Sequence, residues 1–255
     1  MANNIKVLSY NVDQGISYMS DGRGGHVWGT TDFTRTANMI ASFDADIALI
    51  QELPEAGIAT IRSVLPQYYI RWATANGANG RAILSKYGFT LEPSQYPLTV
   101  DHSSNVCALI GRVRHPTAGQ IVVCSAHLSN SYYPDPLPPW WDIMLARAYE
   151  VQEIQVICQR ISGSQNNPVI IAGDMNTMPG QGPLELFVPP YYHVPKSGSP
   201  YTLDSVNSVS RELDHVIQKG MTVVEPVVVF QETAFEKVSD HKPIYCTLTP
   251  TTIVP

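Results

Sequence analysis

The sequence predicts a mixed α/β fold in which two β-sheets pack on each other and helices cover their outer faces. Three observations carry that expectation. Short apolar runs recur along the whole chain, and several are continuous rather than alternating, as strands covered on both faces require. Helical segments alternate with these runs early and late. In the middle and near the end one run follows another directly, which indicates hairpins and therefore sheets that are not purely parallel.

The elements follow in order. "IKVLSYNV" (5–12) is the first strand, and "DFTRTANMIASF" (32–43) is a helix that Thr31 or Asp32 can cap, since their side-chain oxygens accept free N–H groups of the first turn. "ADIALIQEL" (45–53) is the second strand and "EAGIATIRSVL" (55–65) the second helix. "YIRWAT" (69–74), "GRAILSK" (80–86), "NVCALIGRV" (105–113) and "IVVCSAHL" (121–128) are successive strands. The Pro-rich "YYPDPLPPWWD" (132–142) reads as a surface loop whose length and lack of period make it a functional candidate. A long helix, "DIMLARAYEVQEIQVICQRI" (142–161), starts with Asp142 as its cap. "PVIIAGDMN" (168–176), "ELDHVI" (212–217), "TVVEPVVVF" (222–230) and "KPIYCTL" (242–248) complete the strands.

Composition sets the outer limits. At 255 residues, 44% hydrophobic and 15% charged, the chain can bury a sizeable core as one large domain or two small ones. No run approaches the roughly 18 apolar residues of a membrane span. The N-terminus enters a strand pattern without a charged-then-apolar leader, so no export signal is expected. The formal charge of −6 argues against a wholly basic surface for wrapping nucleic acid, although a local basic groove survives that average. Cys107, Cys124, Cys158 and Cys246 are far apart in apolar settings without zinc-site spacing, so buried free thiols and an intracellular, reducing compartment are expected.

Polar residues collect at the strand ends. Asn11 and Asp13 end the first strand, Gln51 and Glu52 the second, and His127 ends "IVVCSAHL". Asp174 and Asn176 end "PVIIAGDMN", Asp214 and His215 sit inside "ELDHVI", and Asp240 and His241 open the last strand. Each has a simple local explanation: Asn11 or Asn176 can cap a turn, Glu52 can open the helix after Pro54, and His127 can be a hydrogen-bonded core histidine. Asp214 resists that treatment, because a buried carboxylate is costly unless paired. So many separate segments ending alike point to one shared site.

The segments "SYNVDQG", "LIQE", "SAHL", "AGDMN", "ELDHV" and "SDHKP", in this order from residue 9 to 243, resemble the endonuclease/exonuclease/phosphatase superfamily. Its members are metal-dependent phosphoesterases, among them deoxyribonucleases, abasic-site endonucleases, tyrosyl-DNA phosphodiesterases, neutral sphingomyelinases, deadenylases and inositol-polyphosphate 5-phosphatases. The resemblance implies one catalytic domain over 1–255, folded as a four-layer α/β sandwich: two packed mixed β-sheets flanked by helices, with the site at one edge of the paired sheets. A monomer with no obligate protein partner is expected.

A phosphate ester resists hydrolysis because a nucleophile must approach an anion and an alkoxide must leave, so a cation, a base and support for the leaving oxygen are needed. Mg²⁺, with Mn²⁺ as a substitute, suits hard oxygen ligands. The resemblance makes Glu52 the first metal ligand, Asn11 a neutral oxygen ligand or phosphate contact beside it, and Asp13 a weaker candidate. It gives Asp174 the orientation or deprotonation of water and Asn176 the phosphate. His241 contacts the phosphoryl oxygen or acts as acid/base, with Asp214 orienting it and Asp240 beside the metal or fixing the turn. His127 stabilises the transition state or protonates the leaving oxygen. In nuclease branches a Glu near "GRAILSK" partners this histidine, and no carboxylate lies between 73 and 84 here. Arg147 matches a frequent helix position, with a surface salt bridge as the alternative.

The substrate stays open among nucleic acid, phospholipid and inositol phosphate, with a phosphodiester and a nuclease-type activity ahead. Arg23, Arg81 and Arg147 can border the cleft for nucleic acid. Trp140 and Trp141 can meet a membrane interface, stack on bases or pack on the long helix. A non-catalytic binding protein on the same fold is the remote alternative.

Overall fold

The structure, a computed structural model, describes residues 4–20, 26–74, 80–98, 107–129, 140–164, 166–203, 211–231 and 239–251. In chain order it contains β1 (Ile5–Asn11), β2 (Ile16–Ser20), β3 (His26–Thr31), α1 (Phe33–Ser42), β4 (Ile47–Leu53), α2 (Glu55–Val64), β5 (Tyr69–Ala73), β6 (Gly80–Ser85) and β7 (Phe89–Pro97). Then come β8 (Cys107–His115), β9 (Gly119–His127), α3 (Trp140–Ser162), β10 (Val169–Asp174), α4 (Gly182–Glu185), β11 (Tyr192–His193) and β12 (Lys196–Ser197). β13 (Asp214–Lys219), β14 (Met221–Val229) and β15 (Ile244–Pro250) complete the regular structure of the described residues.

A seven-stranded sheet runs β12-β14-β15-β1-β4-β6-β5, a six-stranded sheet runs β11-β13-β10-β9-β8-β7, and β2 and β3 form a separate ribbon. Each large sheet is mixed and holds a parallel pair at its heart, β1 with β4 and β9 with β10. The remaining pairings around them are mostly antiparallel, as the hairpin successions required.

Strand period then builds the layers. Ile5 and Val7 of β1, Ile47 and Leu49 of β4, Ile121 and Val123 of β9, Ile170 and Ala172 of β10, and Val216 of β13 pack between the sheets. Side chains alternate along a strand, so their neighbours point outward. Leu8, Tyr10, Ala48 and Ile50 meet Ile40 of α1 and Ile61 of α2, while Val122, Cys124, Val169 and Ile171 meet Val151, Ile154 and Cys158 of α3. The result is the four-layer sandwich, helices outside and two sheets within. Cys124, Cys158 and Cys246 are buried free thiols. No described helix is long and apolar enough to cross a membrane.

Local chemistry explains several boundaries. Asp32 caps α1 by accepting from Thr34 N at 3.0 Å and Arg35 N at 3.1 Å. Asp142 is not the cap of α3, a correction to the sequence expectation: the helix begins at Trp140, directly after Pro138 and Pro139, and Asp142 sits in its first turn. The expected loop 132–142 therefore gives up its last three residues to the helix. Gly173 is required where β10 meets β9, because a Cβ there would lie 1.8 Å from the Ala126 carbonyl oxygen.

α3 is fastened to the end of β9 by charge. Arg147 Nε donates to the Ser129 carbonyl at 2.6 Å, Ser129 N donates to Glu150 Oε2 at 3.0 Å, and the Ser129 hydroxyl donates to Glu150 Oε1. Glu150 is fully buried, and that burial outweighs the Ser129 bonds and pushes its carboxyl up from 4.5 to about 7. A carboxyl raised this way takes up a proton on folding between those values, so stability falls as pH rises through that window and levels above it. Glu150→Gln removes this slope. Urea unfolding at pH 4.5 and pH 8 should show the variant gaining on the wild type by roughly 1–3 kcal/mol between the two; a constant difference would refute the burial argument.

Candidate active site

The inward parity that makes the core also makes the site. Continued towards the carboxyl ends of the parallel pairs, it passes from Val7 to Ser9 and Asn11, from Leu49 to Gln51, from Val123 to Ser125 and His127, and from Ala172 to Asp174. Asp174 stands in register with His127 on one side and Asp214 on the other. Asn11 stands opposite Gln51 in the facing sheet. Below this edge, Gln51 Nε2 donates to Ser125 Oγ at 3.1 Å, and Ser125 Oγ donates to the Ile50 carbonyl at 2.9 Å, so the sheets are pinned just beneath the cluster.

Glu52 breaks the parity. By alternation it should point outward with Ala48 and Ile50. A register shift between Ile50 and Leu53 against β6, with Glu52 at φ +54°, brings its carboxylate to the cluster instead. Asp13, Gln14 and Asn176 also hold positive φ values around the same edge. Asp and Asn adopt this conformation readily, whereas at Gln14 and Glu52 it costs on the order of 1–2 kcal/mol; Asp44 and Asn166 hold it elsewhere in the fold.

Asn11 ties the two sheets together chemically. Its Nδ2 donates to Glu52 Oε1 at 2.9 Å and to Asp174 Oδ2 at 3.2 Å, and its Oδ1 accepts from Asp13 N at 3.1 Å. Nitrogen rather than oxygen of Asn11 therefore faces the two carboxylates. Asp174 Oδ1 accepts from Asn176 N at 2.8 Å, and Asn176 Nδ2 donates to the Leu128 carbonyl at 2.9 Å.

Two imidazoles flank Asp174 Oδ2, with His127 Nε2 and His241 Nε2 each at 3.5 Å. His127 Nε2 also lies 3.7 Å from Glu52 Oε1. His241 Nδ1 donates to Asp214 Oδ2 at 2.8 Å. Ser239, which the sequence reading passed over inside "SDHKP", fixes this histidine to β1: its Oγ donates to the Asn11 carbonyl at 2.8 Å and accepts from His241 N at 3.1 Å. Thr202 Oγ1, also missed, accepts from Asp214 N at 3.0 Å. Its residue lies in an irregular stretch where no periodicity could have revealed it.

The surroundings drive the charges apart. Burial raises the carboxyls of Glu52 and Asp174 above the usual range, the Asn11 bond opposing it at Glu52 and His241 opposing it at Asp174. Burial also works against a charge on His241, but Asp214, Asp174 and Asp240 together outweigh it and hold the imidazole well above its ordinary value. His127 is held well below, by burial first and then by Arg81, His241 and Arg147. Its Nδ1 is buried without a hydrogen-bond partner among the described residues.

Arg81 and Arg147 are buried, 1% and 7% exposed, which leaves no room for the surface salt bridge considered for Arg147. Arg81 Nη2 donates to the His127 carbonyl at 3.5 Å, as Arg147 does to Ser129. Asp240 is half-buried beside His241, and neither it nor Asp13 joins the two groups whose ligand atoms lie within 4.8 Å of one another, Glu52–His127–Asp174 and Asp174–Asp214–His241. Arg23, most of the Pro-rich segment and the side chains of Trp140 and Trp141 lie outside the described residues.

Buried carboxylate oxygens from two sheets, converging with raised proton affinity, fit a hard divalent cation such as Mg²⁺. Asp214 Oδ1, buried without a partner, adds a further oxygen to that donor set.

Solved structures share this architecture. A Bacteroides vulgatus protein described as an endonuclease/exonuclease/phosphatase superposes with a TM-score of 0.74 at 15% identity, covering 97% of this chain and 99% of its own. A mannosyl-6-phosphatase of Bacteroides thetaiotaomicron gives 0.74 at 17% identity, covering 96% and 99%. TDP2 of D. rerio, solved with a single-strand DNA product, gives 0.71 at 17% identity, covering 97% and 100%. No curated protein sequence matches this chain. The model of the Endonuclease/Exonuclease/phosphatase family matches residues 8–241, from the first strand through the last histidine of the cluster, and the chain belongs to that family.

Proposed function

We propose that the protein is a Mg²⁺-dependent phosphodiesterase acting on nucleic acid ends or strands, with Mn²⁺ able to substitute. The observation that carries this reading is the pair of buried carboxylates, Glu52 and Asp174, joined by Asn11 and flanked on Asp174 Oδ2 by His127 and His241. The likeness in fold to TDP2 solved with single-strand DNA supports the choice of nucleic acid over the other phosphate esters.

Glu52 and Asp174 would hold the cation, which when bound supplies positive charge to a phosphoryl oxygen. The chain's own groups do the rest. Asp174 Oδ2 orients the attacking water and receives its proton. His241, charged and held through Nδ1 by Asp214, presents Nε2–H to a phosphoryl oxygen. His127, kept neutral, presents Nε2–H to the leaving oxygen. Asn176, locked between Asp174 and Leu128, steadies the phosphate from the other side.

The deciding experiment is hydrolysis of single- and double-stranded DNA, RNA, sphingomyelin, inositol phosphates and mannose 6-phosphate with Mg²⁺, Mn²⁺ or chelator. DNA or RNA should be cleaved fastest and only with metal. Preference for a monoester would replace the nuclease reading, and no hydrolysis anywhere would leave a binding protein. On bis-(p-nitrophenyl) phosphate, Asp174→Asn and His241→Ala should each lower kcat by roughly 10²–10⁴. Glu52→Gly should abolish activity yet raise stability in chelator by roughly 1–2 kcal/mol, because glycine accepts the positive φ. A thermal midpoint below wild type would show that Glu52 is not strained for function.

A further inference from the structure

The end of β9 is held in an unusual way. Every polar group of Ser129 is bonded to α3: its carbonyl to Arg147, its N–H and hydroxyl to Glu150. The two charged residues stand three apart on one helix, so both side chains leave the same face. Neighbouring groups continue the grip. Leu128 N donates to the Asp174 carbonyl at 3.0 Å, the Leu128 carbonyl accepts from Asn176, and the His127 carbonyl accepts from Arg81.

A strand end normally frays where its ladder stops. Here the ladder stops at Leu128, and ten residues separate Ser129 from the start of α3. Any torque on the chain beyond Ser129 would rotate the peptides that aim His127. Two buried ionisable side chains are an expensive fastener where a pair of apolar side chains would pack as well, and what they add is a fixed geometry at Ser129.

We propose that Arg147 and Glu150 are positioning residues for His127, clamping Ser129 so that the imidazole stays against Glu52 and Asp174. The sequence reading placed Arg147 at the substrate and passed over Glu150. The consequence for catalysis rests on the reading that His127 serves the leaving oxygen, so its test separates the two. Methyl 4-nitrophenyl phosphate expels 4-nitrophenolate readily and methyl phenyl phosphate expels the more basic phenolate with difficulty, so a histidine on the leaving oxygen matters mainly for the second. His127→Ala should therefore lose more activity on the phenyl ester. Glu150→Ala should reproduce that selective loss through kcat at unchanged KM, by roughly 10- to 100-fold, the scale of a small misplacement. Ser129→Ala, which deletes one hydroxyl, should show a smaller loss of the same kind and carries the test if Glu150→Ala does not fold. Glu150→Gln keeps an acceptor for Ser129 N–H and should recover most of the activity.

The position of His127 is read independently from its imidazole ¹H–¹⁵N shifts in metal-free protein, assigned with His127→Gln. These should move in Glu150→Ala and Ser129→Ala, return in Glu150→Gln, and leave His193 and His215 unchanged. Unmoved His127 shifts, or losses equal on both esters when His127→Ala is selective, overturn the proposal. If His127→Ala is not selective, the leaving-oxygen reading falls and the shifts alone decide whether the clamp positions His127.

Discussion

The two N–H hydrogens of one buried amide, that of Asn11, are shared between carboxylates of different sheets, Glu52 and Asp174. Removing a carboxylate from water costs several kcal/mol unless other groups compensate, and here two are removed within reach of one another. Asn11 offsets part of that cost without adding charge. The surrounding contacts exist to keep it there: Asp13 N–H holds its oxygen, Ser239 holds its carbonyl, and the Gln51–Ser125 bond fixes the sheet separation below it. The remaining cost shows in the raised carboxyls of Glu52 and Asp174. A site built this way is incomplete in electrostatic terms until positive charge arrives, which is a physical reason for it to take up a cation.

Most of this was legible in the sequence because one rule, alternation, governs both core and site. The apolar runs gave the strands, and the polar residues that end them inherit the inward direction of Val7, Val123 and Ala172. Alternation fails at Glu52, where the backbone turns through a positive φ that no residue type announces. It also says nothing about β7, none of whose residues is fully buried, or about the β2–β3 ribbon. Arg81 reads from the sequence as a cation bordering the cleft; it is instead buried, with Nη2 on the His127 carbonyl 46 residues away, a contact that no local pattern announces. Glu150 lay in plain sight one turn beyond Arg147. Its role depends on Ser129, and a contact between a helix and the end of a distant strand leaves no periodic trace.

Four of the six described non-glycine residues at positive φ, and much of the buried charge, fall on the same edge. The positive φ at Asp13, Gln14, Glu52 and Asn176 brackets the cluster, and the buried Arg147–Glu150 pair stands just behind it. The apolar layers on either side of each sheet supply the stability that this edge consumes. Asp44 and Asn166 hold positive φ at the amino ends of β4 and β10, but those ends gather no comparable set of carboxylates and imidazoles among the described residues.

The two histidines show how far the framework, not the residue type, decides function. Both imidazoles stand 3.5 Å from the same oxygen of Asp174, yet one is driven toward its charged form and the other away from it. Exchanging their states would take from Asp214 the cation hydrogen-bonded to it and would crowd a third positive charge beside Arg81 and Arg147. Neither change is tolerable in a desolvated site, where each uncompensated charge costs several kcal/mol. The assignment is therefore fixed by partners far apart in sequence, Asp214 for His241 and the two arginines for His127. Divergent environments around like groups are the usual means by which acid and base duties are separated. Here the division needs no difference in the side chains themselves, only that the second sheet supply a carboxylate to one histidine and that β6 and α3 supply cations to the other.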